Sequence, residues 1–233
     1  MRFAILGTGA GARAHTGKLL QLGHDVVVGT RDRAATLART EPDMMGTPPY
    51  REWLEQHPMA TLLPFAEAAA HGEVIINGIS GDHALATLAP LTEQLRGKPL
   101  LDYAVPYVYN PARDHPWPTP WGVMPALNPC DSDSLGEQIQ RALPATQVVK
   151  VFVTQEQETV VDPKAIEEGD HTMFLAGDHD DAKAVATQLL HDYGWTHIVD
   201  LGPLVSARGM EMYAHLHTAV GFALGRRFGV KIV

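Results

Sequence analysis

An α/β fold, with a parallel sheet covered by helices on both faces, is the fold class that this sequence predicts. Short apolar runs, mostly β-branched, alternate with longer segments of helical periodicity through the first half of the chain, as strand–helix–strand units do. The 233 residues are 45% hydrophobic and 19% charged, which is a globular composition and excludes a disordered chain. This length suits one large domain, or a large domain with a small companion.

The elements of the first half follow from that alternation. Strands are predicted at residues 3–6, 26–28, 61–63, 74–76 and 100–101, and helices at residues 12–22, 32–39, 65–71 and 84–95. Residues 103–131 contain seven prolines, which exclude helices and central strands. We therefore expect a long loop there, lying over one edge of the site.

The second half continues with strands and helices of its own. Ser134 and Glu137 have the spacing of a capping box at the start of a helix that ends near residue 143. Strands are predicted at 147–153, 173–176 and 198–199, and helices at 180–193 and 204–224, the last one broken or kinked at Gly209. We expect a domain boundary near residue 145, which divides the chain into a larger domain, 1–145, and a smaller C-terminal α/β domain, 146–233.

Charge and cysteine content exclude several classes of function. Lys and Arg number 18 against 27 Asp and Glu, a net charge of −9, which disfavours sequence-independent binding to nucleic acid. The single cysteine, Cys130, excludes a disulfide framework. The sequence has no apolar stretch of membrane-spanning length and no signal-peptide pattern. We expect a cytoplasmic protein with neither a nucleic acid nor a membrane as partner.

The motif G-x-G-x-x-A follows the first predicted strand and opens the first helix. Gly7 permits a tight turn, Gly9 lets the backbone approach a pyrophosphate, and Ala12 allows close packing of helix on strand. Thr8 and Ala10 lie between them, where the helix N-terminus offers free N–H groups to phosphates. The motif predicts a dinucleotide-binding, Rossmann-type doubly wound parallel sheet; the alternative is an ordinary glycine-rich turn.

The end of the second predicted strand indicates which dinucleotide binds. Enzymes that use NAD place a carboxylate there for the ribose hydroxyls, whereas this chain has Thr30 and Arg31. A hydroxyl and a guanidinium bind a 2′-phosphate, and Arg33 can add a second cation. The residues favour NADP(H). In the alternative interpretation both arginines are merely solvated, and Asp32 is the ribose-binding carboxylate one or two positions late.

Several further segments form a specific combination along almost the whole chain. They are residues 27–31 at a strand end, 176–180 at the start of a helix, and 200–204 with Arg208 following. With the glycine turn, they resemble NADP-dependent oxidoreductases related to the coenzyme F420:NADP oxidoreductases of archaea and actinobacteria. Residues 133–138, 148–150 and 161–163 resemble a bacterial branch of that family whose substrate is unassigned.

The resemblance implies a homodimer in which the nicotinamide lies between a Rossmann domain and a small C-terminal domain. It implies that Thr8 lies by the pyrophosphate and that Thr30 and Arg31 take the 2′-phosphate. It also implies that the loop after the fourth strand lines the nicotinamide; that loop consists of Asn77, Gly78, Ile79 and Ser80. The reaction implied is hydride transfer between NADPH and a small acceptor, with an F420-type deazaflavin or a flavin favoured.

The sequence departs from the family at the end of the strand that starts near residue 148. The family carries a histidine or asparagine there that faces the deazaflavin, and this chain has residues 153–156, Val-Thr-Gln-Glu. Two other functions therefore stay open. One is a carbonyl or imine reductase, and the other is a non-catalytic NADPH-binding sensor or regulator.

The sequence shows no recognisable catalytic dyad. A deazaflavin acceptor needs only placement of the reacting carbons, whereas a carbonyl or imine needs a proton donor. His83, after the loop of the fourth strand, is the best-placed candidate; alternatively, Asp82 caps the next helix and His83 faces solvent. Three tyrosines of the proline-rich loop either stack on a flat acceptor or pack in the core; they are Tyr103, Tyr107 and Tyr109.

Two other groups of polar residues have alternative interpretations. Arg208 and Glu211 are one helical turn apart and either lie at the cleft, as the resemblance implies for their helix, or form a surface ion pair. Residues 178–181, Asp-His-Asp-Asp, look like metal ligands, but a helix start capped by Asp178 explains them better. The sequence contains no ligand set with the spacing of a metal site, so we expect no metal.

Overall fold

The computed structural model describes residues 1–43, 46–108 and 125–233. The first half contains Arg2–Leu6 (β1), Ala10–Gln21 (α1), Asp25–Thr30 (β2), Arg33–Ala38 (α2), Tyr50–Gln56 (α3), Thr61–Pro64 (β3), Phe65–His71 (α4), Val74–Asn77 (β4), Gly81–Leu88 (α5), Thr92–Leu95 (α6) and Pro99–Asp102 (β5). The remainder contains Tyr107–Val108 (β6), Ala126–Leu127 (β7), Leu135–Ala142 (α7), Gln147–Val151 (β8), Gln157–Val161 (α8), Thr172–Gly177 (β9), Asp180–Tyr193 (α9), His197–Asp200 (β10) and Ala207–Leu224 (α10).

Eight of these strands form one sheet in the order β10-β9-β8-β5-β4-β1-β2-β3. The strands from β8 to β3 in that order are parallel, while β9 is antiparallel to β8 and β10 is parallel to β9. The predicted Rossmann-type α/β fold is confirmed. Its parallel strands end at one edge of the sheet, which is where open α/β sheets bind ligands.

Both faces of the sheet are buried, as the continuous apolar strands require. In β1, Phe3 and Ile5 belong to one core cluster, with α1 and α9, while Ala4 and Leu6 belong to the other, with α4, α5 and α7. All four side chains are fully buried. Burial of a side chain the size of Ile5 contributes roughly 1.5–3 kcal/mol, so the sheet centre is a firm base for the turns that follow the strands.

The sheet continues across the boundary expected near residue 145. Strand β8 pairs with β5 through the register Leu100–Val148 and Leu101–Val149, and β9 and β10 extend the sheet further. The backbone hydrogen bonds of the sheet therefore cross the expected boundary. The division into domains 1–145 and 146–233 stays a prediction.

Several elements differ from the sequence-based expectations. Strand β8 ends at Val151 rather than at residue 153, because Phe152 takes a left-handed φ of 68°, which extended strands do not allow. Helix α10 passes through Gly209 without a break. Asp178 does not cap α9; its Oδ1 accepts a hydrogen bond from the N–H of Leu204 at 2.9 Å. Within the described ranges, no helix has the length and apolar character needed to cross a membrane.

Candidate nucleotide-binding site

A cleft of about 520 Å³ opens at the carboxyl edge of the sheet. Its walls are the turn after β1, the end of β2, the turn after β4 and the segment after β5. The lining residues are Gly7, Thr8, Gly9, Arg31, Arg39, Phe65, Gly78, Ile79, Ser80, Gly81, His83, Tyr103, Ala104, Val105 and Tyr107.

The glycine turn shapes one wall of this cleft. Gly7 has a φ of +130°, and a Cβ there would overlap the carbonyl of Gly78, so the turns after β1 and β4 touch only because residue 7 has no side chain. A Cβ at Gly9, by contrast, would meet nothing within 4 Å. Gly9 precedes α1 without a side-chain cap, so the first N–H groups of the helix face a space open to a ligand.

The end of β2 supplies charge and hydroxyl groups. The hydroxyl oxygens of Thr30 and Thr36 lie 2.7 Å apart, and exposed Arg31 lines the cleft. The carboxylate of Asp32 accepts a hydrogen bond from the N–H of Ala35 at 2.9 Å and so caps α2. Asp32 therefore acts as a helix cap in this structure.

The remaining predicted cofactor residues divide between the cleft and its surroundings. Gly78, Ile79 and Ser80 line the cleft. Ala10 and Ala12 lie at the start of α1, where Ala12 is buried and Ala10 is exposed. Arg33 is the exposed first residue of α2, and among the described residues it does not contribute to the lining of the cleft.

Asn77 supports the loop that follows β4 from beneath. It is fully buried; its Nδ2 donates to Asp102 Oδ1 at 2.7 Å, and its Oδ1 accepts from the N–H of Ile79 at 3.2 Å. The amide thus fixes the backbone of residues 77–79 against β5, and its side chain is not in the lining of the cleft.

A buried ionic group, here called the Lys150 network, extends this support. Lys150 Nζ donates to Asp102 Oδ2 at 2.8 Å and lies 2.7 Å from Glu211 Oε1, with all three residues at most 2% exposed. Glu211 also accepts from the N–H groups of Leu135 and Gly136 at the start of α7. Burial acts to lower the pKa of Lys150, but the two carboxylates outweigh it and hold that pKa above its usual value.

Arg208 and Glu211 do not form the surface pair considered above. Glu211 belongs to the Lys150 network, whereas Arg208 makes two hydrogen bonds of 2.8 Å to the carboxylate of Glu137. That hydrogen bonding lowers the pKa of Glu137. Ser134 caps α7 as predicted, since its Oγ accepts from the Glu137 N–H. The Glu137 carboxylate accepts from the Ser134 hydroxyl, whereas in a capping box it would accept from the backbone N–H.

A second buried group joins α1 to α8 and α9. His15 Nδ1 lies 3.0 Å from Tyr193 Oη, and His15 Nε2 lies 2.9 Å from Gln157 Oε1. Burial lowers the pKa of His15 to about 4, so the ring is neutral at physiological pH. Tyr103 stacks on this ring with centroids 5.5 Å apart, and burial raises the pKa of Tyr103.

His83 lies in the first turn of α5, exposed and on the lining of the cleft. Its Nε2 is 3.5 Å from the Asp82 carboxylate. Asp82 is not the helix cap, because α5 begins after Ser80, whose side chain makes no capping hydrogen bond.

Tyr107 lines both the cleft and a second cavity of about 710 Å³. The other residues of that cavity are Glu156, Gln157, His217, Thr218, Gly221, Phe222, Gly225, Arg226 and Arg227. Tyr109 lies outside the described residues. Within the part of the chain that the structure describes, no three His, Cys, Asp or Glu side chains are grouped to hold a metal ion.

A small polar pocket of about 90 Å³ adjoins the glycine turn. It is lined by Thr8, Gly9, Arg13, Thr36, Arg39, Asp43 and Tyr50. Sequence reasoning did not find Arg13, Arg39 or Tyr50, because arginines at helix positions and a tyrosine after two prolines are typical of ordinary surfaces. The only sequence signal is the basic side chain of Arg13, which directly follows the glycine motif.

Comparison with known proteins identifies relatives of the whole chain. Residues 2–106 match the family described as NADP oxidoreductase, coenzyme F420-dependent. A solved structure named as a candidate F420-dependent NADP reductase from Arthrobacter sp. FB24 is 40% identical, with a TM-score of 0.90, over 99% of this chain and 98% of that one. None of the curated proteins compared with the sequence matches it significantly.

More distant structures share the fold alone. Pyrroline carboxylate reductase from Plasmodium falciparum, solved with NADP bound, is 10% identical with a TM-score of 0.52, over 97% of this chain and 69% of that one. An imine reductase from Bacillus cereus BAG3X2 is 17% identical with a TM-score of 0.54, over 97% of this chain and 67% of that one.

Proposed function

We propose a specific hydride transfer for this chain, which belongs to the family of coenzyme F420-dependent NADP oxidoreductases. It is an NADP-dependent oxidoreductase, and we infer that its acceptor is an F420-type deazaflavin or a flavin. The observation that carries the proposal is the cleft itself, in which the glycine turn, Arg31 and the 78–80 loop face one cavity.

The cleft fits a dinucleotide on the evidence of its own geometry. The open Cβ position at Gly9 and the uncapped start of α1 leave backbone N–H groups for a pyrophosphate,. Arg31 lies at the end of β2, where a ribose phosphate is expected. We infer that Thr8, Gly9 and Arg31 hold NADP(H), with Gly78, Ile79 and Ser80 against its nicotinamide. When bound, NADPH supplies the hydride.

The protein contributes placement and exclusion of water rather than an acid or base. Asn77 and the Lys150 network hold the 77–79 backbone in place, so this loop would offer a bound nicotinamide a fixed surface. Tyr103, stacked on the His15 ring, forms part of the cleft wall. Rigid placement of two reacting carbons in a dry site is the main requirement of hydride transfer.

The second cavity supports a flat acceptor with an acidic tail. Its lining shares Tyr107 with the cleft, and Phe222 and His217 supply ring surfaces. Arg226 and Arg227 lie at the same cavity, where Arg227 pairs with Glu156 at 3.2 Å. A deazaflavin or flavin ring would pack on the aromatic side chains, and an anionic tail would compete for the guanidinium groups.

Stopped-flow mixing of the NADPH-loaded protein with F420, FMN and FAD tests this proposal. We expect oxidation of NADPH by at least one of them, fastest with F420. A matched pair of variants tests the cavity: Arg226→Ala should raise the KM for the acceptor, whereas Arg51→Ala, an exposed arginine on α3, should not. Tight NADPH binding without oxidation by any flavin would reject the acceptor assignment.

A carbonyl or imine reductase is the second candidate, and His83 on the cleft lining favours it. In that reaction His83 would donate the proton, so His83→Gln would abolish turnover of a carbonyl or imine. The same variant would leave turnover of a deazaflavin unchanged. If the protein binds NADPH but turns over neither acceptor class, the remaining alternative is a non-catalytic NADPH-binding sensor or regulator.

We propose a homodimer that forms through α10. Met212, Leu216 and Leu224 are exposed by 37%, 58% and 49% and recur at multiples of four residues along one side of the helix. An apolar stripe of this kind on the surface is typical of an interface. Sedimentation equilibrium should give twice the mass of the chain, and Leu216→Glu should give the monomer.

A further inference from the structure

The small polar pocket beside the glycine turn contains a buried hydroxyl without a partner. Tyr50 is 3% exposed, and its Oη has no hydrogen-bond partner among the described residues. Buried polar atoms are nearly always hydrogen-bonded, so an orphan of this kind calls for an explanation. Because Tyr50 lines the pocket, a bound molecule would supply the missing acceptor.

The chemistry around Tyr50 favours an anion. The Arg13 guanidinium lies over the Tyr50 ring, 5.4 Å from its centroid, and Arg39 lines the same pocket. Burial raises the pKa of Tyr50, so the phenol stays a donor. Asp43 is the one carboxylate of the lining; its Oδ1 accepts from the N–H of Thr47 at 2.9 Å, and its charge opposes the fall in the pKa of Arg13 that burial causes.

The pocket opens where the ribose of a dinucleotide would lie. Arg39, Thr8 and Gly9 line both the pocket and the main cleft. Thr36, also in the pocket, has its hydroxyl 2.7 Å from that of Thr30 at the end of β2. Arg13 Nε donates to the Thr8 carbonyl at 3.0 Å, which fixes one side of the entrance relative to the glycine turn.

We propose that this pocket binds the 2′-phosphate of NADP(H), with Arg13, Arg39 and Tyr50 as the residues that select NADP over NAD. The inference rests on the proposed function and makes it more specific. Arg31 then lies at the cleft side of the phosphate, and Tyr50 donates to it from the buried side. A volume of about 90 Å³ suits a phosphate group and is too small for a base or a ribose.

Binding titrations of the full chain with four ligands test the proposal. NADPH and adenosine 2′,5′-bisphosphate carry the 2′-phosphate, whereas NADH and 5′-AMP lack it. Tyr50→Phe and Arg39→Ala should each weaken the first pair roughly tenfold or more, because each removes a hydrogen bond to a charged group. Neither variant should change the Kd of the second pair. Tyr213→Phe on α10 and Arg51→Ala on α3 are the matched controls and should change none of the four.

Equal weakening of NADPH and NADH would overturn the proposal in favour of a pyrophosphate site. Unchanged binding of all four ligands in Tyr50→Phe and Arg39→Ala would overturn it as well. These titrations need no acceptor, so the two proposals can fail separately. If the protein shows the expected selectivity but none of the tested acceptors oxidises its NADPH, the proposed reaction is rejected and the phosphate pocket is supported.

Discussion

The Lys150 network and the small polar pocket both place charged side chains next to the cleft, yet their hydrogen bonding differs. In the network, Lys150, Asp102 and Glu211 find partners in each other and in backbone groups. In the pocket, the buried hydroxyl of Tyr50 has none among the described residues. A cluster whose polar groups all have hydrogen-bond partners holds the protein's own backbone in place. A cluster with a buried donor left over is arranged to bind a ligand. Mutation should therefore affect stability in the first cluster and ligand binding in the second.

Removal of the lysine should break the network most severely. Lys150→Met leaves two carboxylates buried without their cation, and loss of one partner from a buried ion pair costs about 3–5 kcal/mol. We expect urea unfolding to show a loss of that size. Lys231→Met, which removes an exposed partner of Asp170, should leave the unfolding curve in place. A Lys150→Met protein as stable as the wild type would show that the carboxylates do not depend on this cation.

Acid should weaken the protein through His15. Its pKa is held at about 4 in the folded chain by burial, against 6.5 for the exposed group. As the pH falls below about 6.5, the unfolded chain takes up the proton first, so stability falls until the folded ring also titrates near pH 4. Between pH 7 and pH 5 this group alone should cost about 2 kcal/mol. The measurement is urea unfolding of wild type and His15→Gln at both pH values.

Other groups titrate in that range too, so the difference between the two proteins is the informative quantity. The wild type should lose more stability than His15→Gln on acidification. Parallel losses in both proteins would mean that the ring is not protected from protons in the folded state.

The smallest expected effects on the free energy of unfolding come from two separate variants that each remove one tyrosine hydroxyl. Tyr193→Phe removes a partner of His15 at 3.0 Å and should lower the free energy of unfolding by about 1 kcal/mol. Tyr50→Phe removes an unpartnered hydroxyl and should leave that free energy unchanged or raise it slightly. Thermal and urea unfolding of both variants checks this. Equal destabilisation would mean that Tyr50 has an internal partner after all.

Local sequence predicted most of the sheet and the glycine turn, because each depends on short runs of residues. Strands such as β1 and β4 are apolar and end at turn residues, and the G-x-G-x-x-A spacing requires no knowledge of distant contacts. The Lys150 network was not predicted. A lysine between valines in β8 looks like a surface position, and its burial depends on Asp102 in β5 and Glu211 in α10, which only the folded sheet brings near.

The residues proposed to hold the 2′-phosphate were predicted only in part, for the same reason. Thr30 and Arg31 follow a strand end and could be recognised from position. Arg39 and Tyr50 come from opposite sides of the segment between α2 and α3, and the course of that segment sets whether they meet. The prediction for Arg33 depended on nearness in sequence and stays a prediction; α2 starts at that residue, with its side chain exposed.

The contact between Gly7 and the Gly78 carbonyl has a consequence for evolution of the protein in the laboratory. In a library with every residue allowed at each glycine, selection for folding alone should retain only glycine at position 7, where a Cβ has no room, yet should admit alanine at position 9, where it has space. Selection for nucleotide binding should retain only glycine at position 9 as well. Two glycines of one short turn would then respond to different selective pressures, one from the fold and one from the ligand.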